Sequence, residues 1–223
     1  MAVIGLVTLG QTPRPDHVDN FRRFIPDAKI RIAGALDNLS RSEITVLSVP
    51  GDYPLLVKLS DGSETQIPLK LLLPYVEQTA QQLTEDGAHF IVILCAGGFP
   101  EIECPVPVLL PGKLLPAVIY AASRTKKIGV VSPVRGQVSA AKKKWEEDGF
   151  TVWVTWASPY NHDEVTKAAQ EMSNPDIEFV VLDCMGHNDE HRREFANLCK
   201  KPVVLTQTLI ARIAGEFAGS FPF

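Results

Sequence analysis

Short, uninterrupted apolar runs alternate with longer segments of helical periodicity along this chain. Apolar runs without an apolar–polar alternation are typical of parallel strands that are covered on both faces. The predicted strands are residues 3–9, 29–34, 90–94, 106–110, 127–131, 151–156, 179–182 and 203–205. The predicted helices are residues 69–85, 113–123, 135–148, 163–172, 188–199 and 207–218. Alternating strands and helices of this size predict a doubly wound α/β fold.

One stretch, about residues 52–69, departs from this rhythm. Asp61-Gly62 lies between two short alternating segments, and an Asp-Gly pair readily takes the positive φ angles of a tight hairpin turn. The sequence therefore predicts an inserted β-hairpin with one face in solvent. Whether it is a plain insertion, a flap or a dimer contact is left open at this point.

Three patterns of the first half recur, in the same order, in the second half. The pairs are IGLV at 4–7 with IGVV at 128–131, AHFIVILC at 88–95 with IEFVVLDC at 177–184, and CPVPVL at 104–109 with CKKPVVL at 199–205. A single match could arise by chance because core strands resemble each other, but three in order indicate a repeat. We therefore predict two pseudo-twofold-related lobes, residues 1–112 with 206–223 and residues 113–205, the first of which carries the hairpin.

Composition and charge exclude several classes of protein. Of the 223 residues, 45% are hydrophobic, and the net charge is −4, whereas a nucleic-acid-binding protein needs a basic face. No apolar run approaches the roughly 20 residues of a membrane-spanning helix, and the first residues do not resemble a secretory signal. We predict a cytoplasmic protein that binds neither nucleic acid nor membranes, and a homodimer is left open.

Two of the four cysteines, Cys95 and Cys184, follow predicted strands at repeated positions. Ligands bind beyond the carboxyl ends of strands in open parallel sheets, so two facing lobes would bring these thiols to opposite walls of one cleft. A thiolate on one face of a substrate could remove a weakly acidic proton, and a thiol on the other face could return one. Each cysteine is also expected at a helix start, which favours the thiolate.

Other residues near these strand exits are suited to holding an anion. Gly97, Gly98 and Gly186 follow the two cysteines and would expose backbone N–H groups to a carboxylate or enolate oxygen. Thr12 and Arg14 follow the first strand, and an arginine can hold a carboxylate through two parallel hydrogen bonds. Thr206 stands at the start of the last predicted helix and completes the set of anion donors.

Each candidate also has a plain structural interpretation. A cysteine at a strand end is often a buried core residue, and we interpret Cys104 and Cys199 in that way. Asp183 could orient a ligand or cap a helix, and Thr206 could equally be a cap. Arg14 could be a solvated loop residue.

His187 and His191 lie four residues apart, a spacing that would place them on one helix face. Because no third ligand stands at a usable distance and no CxxC pair occurs, we predict no metal site. The two histidines are interpreted as exposed surface residues, although His187 also joins the candidate substrate-binding residues.

The chain resembles AroM-type proteins, which are relatives of the aspartate/glutamate racemase superfamily. The resemblance is carried by LDNLSRSEI at 36–44, VLDCMGH at 181–187 and PVVLTQTLIAR at 202–212. That superfamily includes amino-acid and hydantoin racemases, maleate isomerase and arylmalonate decarboxylase. The resemblance implies two α/β lobes, a cleft between them, no cofactor, and one catalytic cysteine per lobe, which would be Cys95 and Cys184.

The sequence departs from the superfamily after both cysteines. Racemases usually have Asn-Thr after the first cysteine and Thr after the second, whereas this chain has Ala96-Gly97 and Met185-Gly186. Two functions follow as hypotheses. One is a cofactor-independent isomerase or lyase for a small carboxylate, with Cys184 as the main acid–base group or nucleophile and Cys95 as its partner. The other is a non-catalytic binding protein for an acidic or aromatic metabolite.

Overall fold

The computed structural model describes residues 1–219, which form two compact units. The first unit holds residues 1–95, 99–111 and the segment from 210, and the second holds residues 96–98 and 112–209. Across residues 1–219, each helix is too short or too polar to traverse a bilayer. The predicted α/β class, with two parallel sheets and an inserted hairpin, is confirmed.

A four-stranded parallel sheet forms the centre of the first unit. Its strands in spatial order are β2 (Lys29–Gly34), β1 (Val3–Thr8), β5 (Phe90–Ile93) and β6 (Val108–Leu109), and the hairpin consists of β3 (Pro54–Lys58) and β4 (Glu64–Pro68). The helices are α1 (Pro15–Arg22), α2 (Arg41–Leu47) and α3 (Leu69–Glu85). Helix α3 buries Leu72, Val76, Ala80 and Leu83 in the core, a spacing of three and four residues that keeps one helix face inward.

The hairpin belongs to the core of the first unit. Leu55 and Val57 are buried there, so alternate residues of β3 face inward. The backbone N–H of Gln11 donates to the carbonyl of Lys58 at 3.1 Å, and Ser60 donates its N–H and hydroxyl to the Gln11 side-chain oxygen at 3.2 and 3.0 Å. Because these bonds fasten the hairpin to the loop after β1, its position argues against a freely moving flap.

The second unit repeats the strand order of the first. Its strands in spatial order are β8 (Thr151–Trp156), β7 (Lys127–Ser132), β9 (Phe179–Leu182) and β10 (Val203–Leu205). Its helices are α4 (Pro111–Ala122), α5 (Val138–Glu147), α6 (His162–Glu171), α7 (Asp189–Cys199) and α8 (Thr206–Ala218), of which α8 begins in the second unit and ends in the first. In both sheets the spatial order is second, first, third and fourth strand along the chain, hairpin excepted. Strands β5 and β9 therefore hold equivalent places.

Two helices of the first unit are additional to those that periodicity predicts, and one predicted helix begins differently. Helix α2 starts with a capping box, in which the Glu43 N–H donates to the Ser40 hydroxyl and the Ser40 N–H donates to the Glu43 carboxylate at 2.8 Å. This Ser-x-x-Glu pattern was visible in the sequence. The helix predicted at 135–148 begins as a 3₁₀ turn, Arg135–Gln137, where Gly136 weakens α-helical propensity.

A carboxylate at the amino end of β9 joins that strand to the loop after α4. Glu178 accepts the backbone N–H groups of Arg124 and Thr125 at 3.0 and 2.9 Å and the hydroxyls of Thr125 and Ser123 at 2.8 Å each. These bonds lower the pKa of Glu178 from 4.5 to about 2. The ionised carboxylate therefore stabilises the folded state.

We expect Glu178→Gln to lower the melting temperature at pH 7. A folded-state pKa below the unfolded one means that the contribution is complete above pH 4.5 and is lost as the pH falls toward 2. Calorimetry should therefore show that the difference in melting temperature between the wild type and the variant becomes smaller as the pH falls through that range. Glu147→Gln, which loses an exposed ion pair with Lys143, is the control. A difference in melting temperature that stays constant with pH would contradict stabilisation by the ionised Glu178 carboxylate.

Candidate functional site

Cys184 lies two residues beyond β9, at the carboxyl edge of the second sheet, and is partly exposed. The backbone N–H of Gly186 donates to the Cys184 sulfur over 3.3 Å. A hydrogen bond from an N–H group stabilises negative charge on the sulfur that accepts it.

Gly186 is required by its close contacts. A Cβ at this position would lie 2.7 Å from Cγ of Pro159 and 3.3 Å from the Tyr160 hydroxyl. The missing side chain lets the loop after β9 pack against the loop after β8. That packing places the Gly186 N–H beside Cys184.

Asp183 points into the protein rather than toward a ligand in solvent. Its side chain is buried, and one oxygen accepts the indole N–H of Trp145 on α5 at 3.0 Å. Burial raises the pKa of Asp183, while the charge of Lys144 and the Trp145 hydrogen bond oppose that rise. The helix-cap interpretation does not apply either, because the cap of α7 is Asn188.

The prediction that His187 is an exposed surface residue is wrong. Its side chain is fully buried, and His187 precedes α7, which begins at Asp189, instead of lying on the exposed face of that helix. His187 Nδ1 lies 3.2 Å from His191 Nδ1, and the Asn188 N–H donates to the same His191 nitrogen at 3.3 Å. His191 Nδ1 is therefore the acceptor, and His187 carries a proton on Nδ1.

Both of these histidines are disfavoured as cations. Burial, followed by the charge of His191, lowers the pKa of His187 to about 3, and burial also lowers the pKa of His191. His187 is thus a neutral hydrogen-bonding group at pH 7, three residues after Cys184. Within the part of the chain that the structure describes, no three His, Cys, Asp or Glu side chains form a group that could hold a metal ion.

Thr206 and its neighbour fix the loop that carries Cys184. Thr206 is fully buried, and its hydroxyl donates to the carbonyl of Leu182 at 2.6 Å. Gln207 donates its side-chain N–H to the carbonyl of Met185 at 3.1 Å. The hydroxyl predicted to position an anion therefore tethers α8 to the end of β9.

Cys95 occupies the corresponding place in the first unit, two residues beyond β5, and is partly exposed. The expectation that each cysteine stands at a helix start is wrong. After Cys95 the chain is irregular until β6, and the next helix begins at Pro111, while α7 begins five residues after Cys184. Long irregular segments therefore separate both cysteines from the helices that follow them.

The two glycines after Cys95 lie in the irregular segment. Gly97 is half-buried and Gly98 is exposed. The Gly97 carbonyl would lie 2.1 Å from a Cβ at Gly112, so Gly112 allows the close approach of these two backbone segments.

Two candidate anion donors of the first unit already hold carboxylates of this chain. Thr12 donates its N–H and its hydroxyl to Asp37 at 2.6 and 2.9 Å. Arg14 donates to both oxygens of Asp16 at 2.9 and 2.6 Å. Neither Asp16 nor Asp37 was among the residues singled out from the sequence, which carries no pattern that pairs them with these donors.

Both the sequence and the fold of this chain are similar to those of known proteins. A sequence model of the AroM protein family matches residues 4–218. No protein of curated function matches the sequence.

Solved structures of several enzymes share the fold at low sequence identity. Glutamate racemase isoform RacE1 from Bacillus anthracis aligns with a TM-score of 0.66 and 13% identity over 97% of this chain and 81% of that one. The maleate isomerase Iso from Pseudomonas putida S16 aligns at 0.64 and 10% over 99% and 94%. Arylmalonate decarboxylase aligns at 0.63 and 10% over 99% and 94%. These likenesses establish the fold, and the match over residues 4–218 establishes that the chain belongs to the AroM family.

Proposed function

We propose that this protein is a cofactor-independent isomerase, racemase or lyase that acts on a small carboxylate, with Cys184 as its main acid–base group. The observation that carries the proposal is the hydrogen bond from the Gly186 N–H to the partly exposed Cys184 sulfur. It supports a sulfur that can hold negative charge beyond the carboxyl end of a parallel strand, where ligands bind in this class of fold.

The proposed chemistry begins with proton removal from carbon. The Cys184 thiolate takes the proton next to the substrate carboxylate, so a C–H bond breaks, an S–H bond forms and the electron pair passes to the carboxylate as an enolate. In a racemase, the Cys95 thiol then donates its proton to the opposite face of that carbon. In a lyase, loss of carbon dioxide creates the same enolate, and a thiol protonates it.

Carboxylate substrates are supported by two observations. Glutamate racemase, maleate isomerase and arylmalonate decarboxylase, which share the fold, are all named for carboxylates. In addition, the loop after β1 directs the donors of Thr12 and Arg14 at carboxylates of this chain. The N–H groups of Gly97, Gly98 and Gly186 complete the donors that we propose for an enolate oxygen.

A non-catalytic binding protein is the second candidate function. It is favoured by the apolar residues Ala96 and Met185, which follow the two thiols and offer no side-chain hydrogen-bond donor to a substrate. A binding protein needs an accessible ligand site but no thiol of tuned acidity.

Solvent isotope exchange distinguishes the two functions. We expect the wild-type protein in deuterated water to replace the α-proton of one member of a panel of α-amino, α-hydroxy and arylacetic acids, because a thiolate base shares its proton with solvent. Loss of the α-proton NMR signal, with the mass increase that replacement of one proton by one deuteron produces, measures the exchange. Binding of a panel member, detected by calorimetry, without exchange would support the binding protein and contradict the enzyme.

A further inference from the structure

A buried arginine in the first unit holds a carboxylate of its own chain. Arg14 is the one arginine among residues 1–219 that is buried, with 7% of its surface exposed. Its Nε donates to one oxygen of Asp16 at 2.9 Å and its Nη2 donates to the other at 2.6 Å. A guanidinium recognises a free carboxylate through this same pair of parallel bonds. Asp16 therefore occupies the place on Arg14 that a ligand carboxylate would take.

The guanidinium lies at the carboxyl edge of the first sheet. Its Nη1 is 3.4 Å from the hydroxyl of Thr8, the last residue of β1. Strand β5 pairs with β1 and is followed by Cys95, so Arg14 and Cys95 belong to the same edge. This edge is where open parallel sheets bind ligands.

The two partners differ in their access to solvent. The Arg14 side chain is 8% exposed, whereas that of Asp16 is 47% exposed. Asp16 can therefore turn into water without uncovering the core, while the buried guanidinium stays in place. A buried cation that loses its counter-ion is costly, so the vacated position favours another anion.

The neighbouring groups keep this place positive. Burial alone would raise the pKa of Asp16, but its hydrogen bonds to Arg14, with the nearby His17, lower it to about 2. Burial lowers the pKa of His17 to about 3, and the Arg14 and Lys58 charges act in the same direction. At pH 7 the Arg14 cation therefore faces the anionic Asp16, with His17 neutral. Turning Asp16 outward removes the carboxylate and leaves the Arg14 charge beside a neutral His17.

We propose that Asp16 is an internal competitor for Arg14 and thereby sets the affinity of this site for small carboxylates. The inference rests on the carboxylate ligand of the proposed function and on no step of the reaction. A ligand carboxylate binds when Asp16 turns into solvent. The apparent dissociation constant is then the intrinsic one divided by the fraction of molecules with Asp16 turned outward.

Calorimetric titration with malonate, at pH 7 and at constant ionic strength in sodium chloride, tests the competition between Asp16 and a ligand carboxylate. Asp16→Asn keeps the size of the side chain and removes its charge, so it should lower the dissociation constant for malonate at least roughly tenfold. Asp19→Asn makes the same charge change on α1, where Asp19 forms an exposed ion pair with Arg22 at 3.8 Å, and should leave that constant unchanged.

A third variant identifies the group that malonate contacts. Arg14→Lys in the Asp16→Asn background keeps the positive charge but lacks the planar pair of donors, so most of the gain in affinity should disappear. An unchanged constant in Asp16→Asn, an equal gain in Asp19→Asn, or a gain that survives Arg14→Lys overturns the proposal. If Asp16→Asn folds poorly, Asp16→Ser takes its place. Absence of isotope exchange in the wild type would count against the proposed reaction and leave this binding result unaffected.

Discussion

Replacing Cys184 with serine is expected to reduce α-proton exchange by about 10²–10⁴-fold, the range that a well-placed general acid–base group contributes. A serine hydroxyl has nearly the geometry of the thiol but is a far weaker acid, so the Gly186 N–H no longer has a readily formed anion to stabilise. The rate of deuterium incorporation, measured by NMR on the substrate identified in the wild type, tests this.

Two further cysteine variants are the comparisons for the Cys184→Ser result. Cys199→Ser should retain the wild-type rate, because Cys199 is buried and its burial raises the pKa of its thiol. If two thiols act, Cys95→Ser should stop inversion and leave exchange from one enantiomer. If Cys184 acts by itself, Cys95→Ser should leave the exchange rate almost unchanged. Full exchange in Cys184→Ser would exclude Cys184 as the base.

Gly10→Ala is expected to destabilise the protein by about 3 kcal/mol, toward the upper end of the range for overpacking a rigid site. A Cβ on Gly10 would lie 1.9 Å from the carbonyl oxygen of Lys58 and 2.9 Å from its carbonyl carbon. Because both atoms are backbone, relief requires the hairpin to move away from the loop after β1. Urea unfolding, followed by circular dichroism, measures the free energy of unfolding.

Gly62→Ala separates this clash from the general cost of losing a glycine. Gly62 lies in the hairpin turn with φ of +83°, and a Cβ added there would meet no neighbouring atom within 4 Å, so its replacement costs about 1 kcal/mol through backbone conformation. A Gly10→Ala protein as stable as Gly62→Ala would mean that the hairpin is loosely held. The flap interpretation would then regain support.

Much of the fold could be predicted because the relevant physics is local. Uninterrupted apolar runs such as Phe90–Ile93 and Phe179–Leu182 are long enough for a strand and too short for most helices, and both are fully buried strands in the structure. The hairpin followed from Asp61-Gly62. Helix α2 was missed although its Ser40 and Glu43 capping box is also a local pattern.

The place of the two cysteines after strands could be predicted from the sequence, whereas their surroundings could not. Cys95 lies two residues beyond β5 and Cys184 two residues beyond β9. The partners of Thr12 and Thr206 lie 25 and 24 residues away along the chain, and no local pattern encodes such pairs. The burial of His187 was likewise invisible to helical spacing, because His187 precedes the helix.

Apolar periodicity and turn residues therefore determined the α/β class, the hairpin and the place of both thiols just after a strand, since these depend on neighbours within a few residues. Tertiary structure decided which side chains remain available for a ligand. It assigned Asp183 to Trp145 and Arg14 to Asp16, and it brought the Gly186 N–H to the Cys184 sulfur. Burial and hydrogen bonding set the charge and orientation of these groups, and both depend on how distant or turned segments pack together.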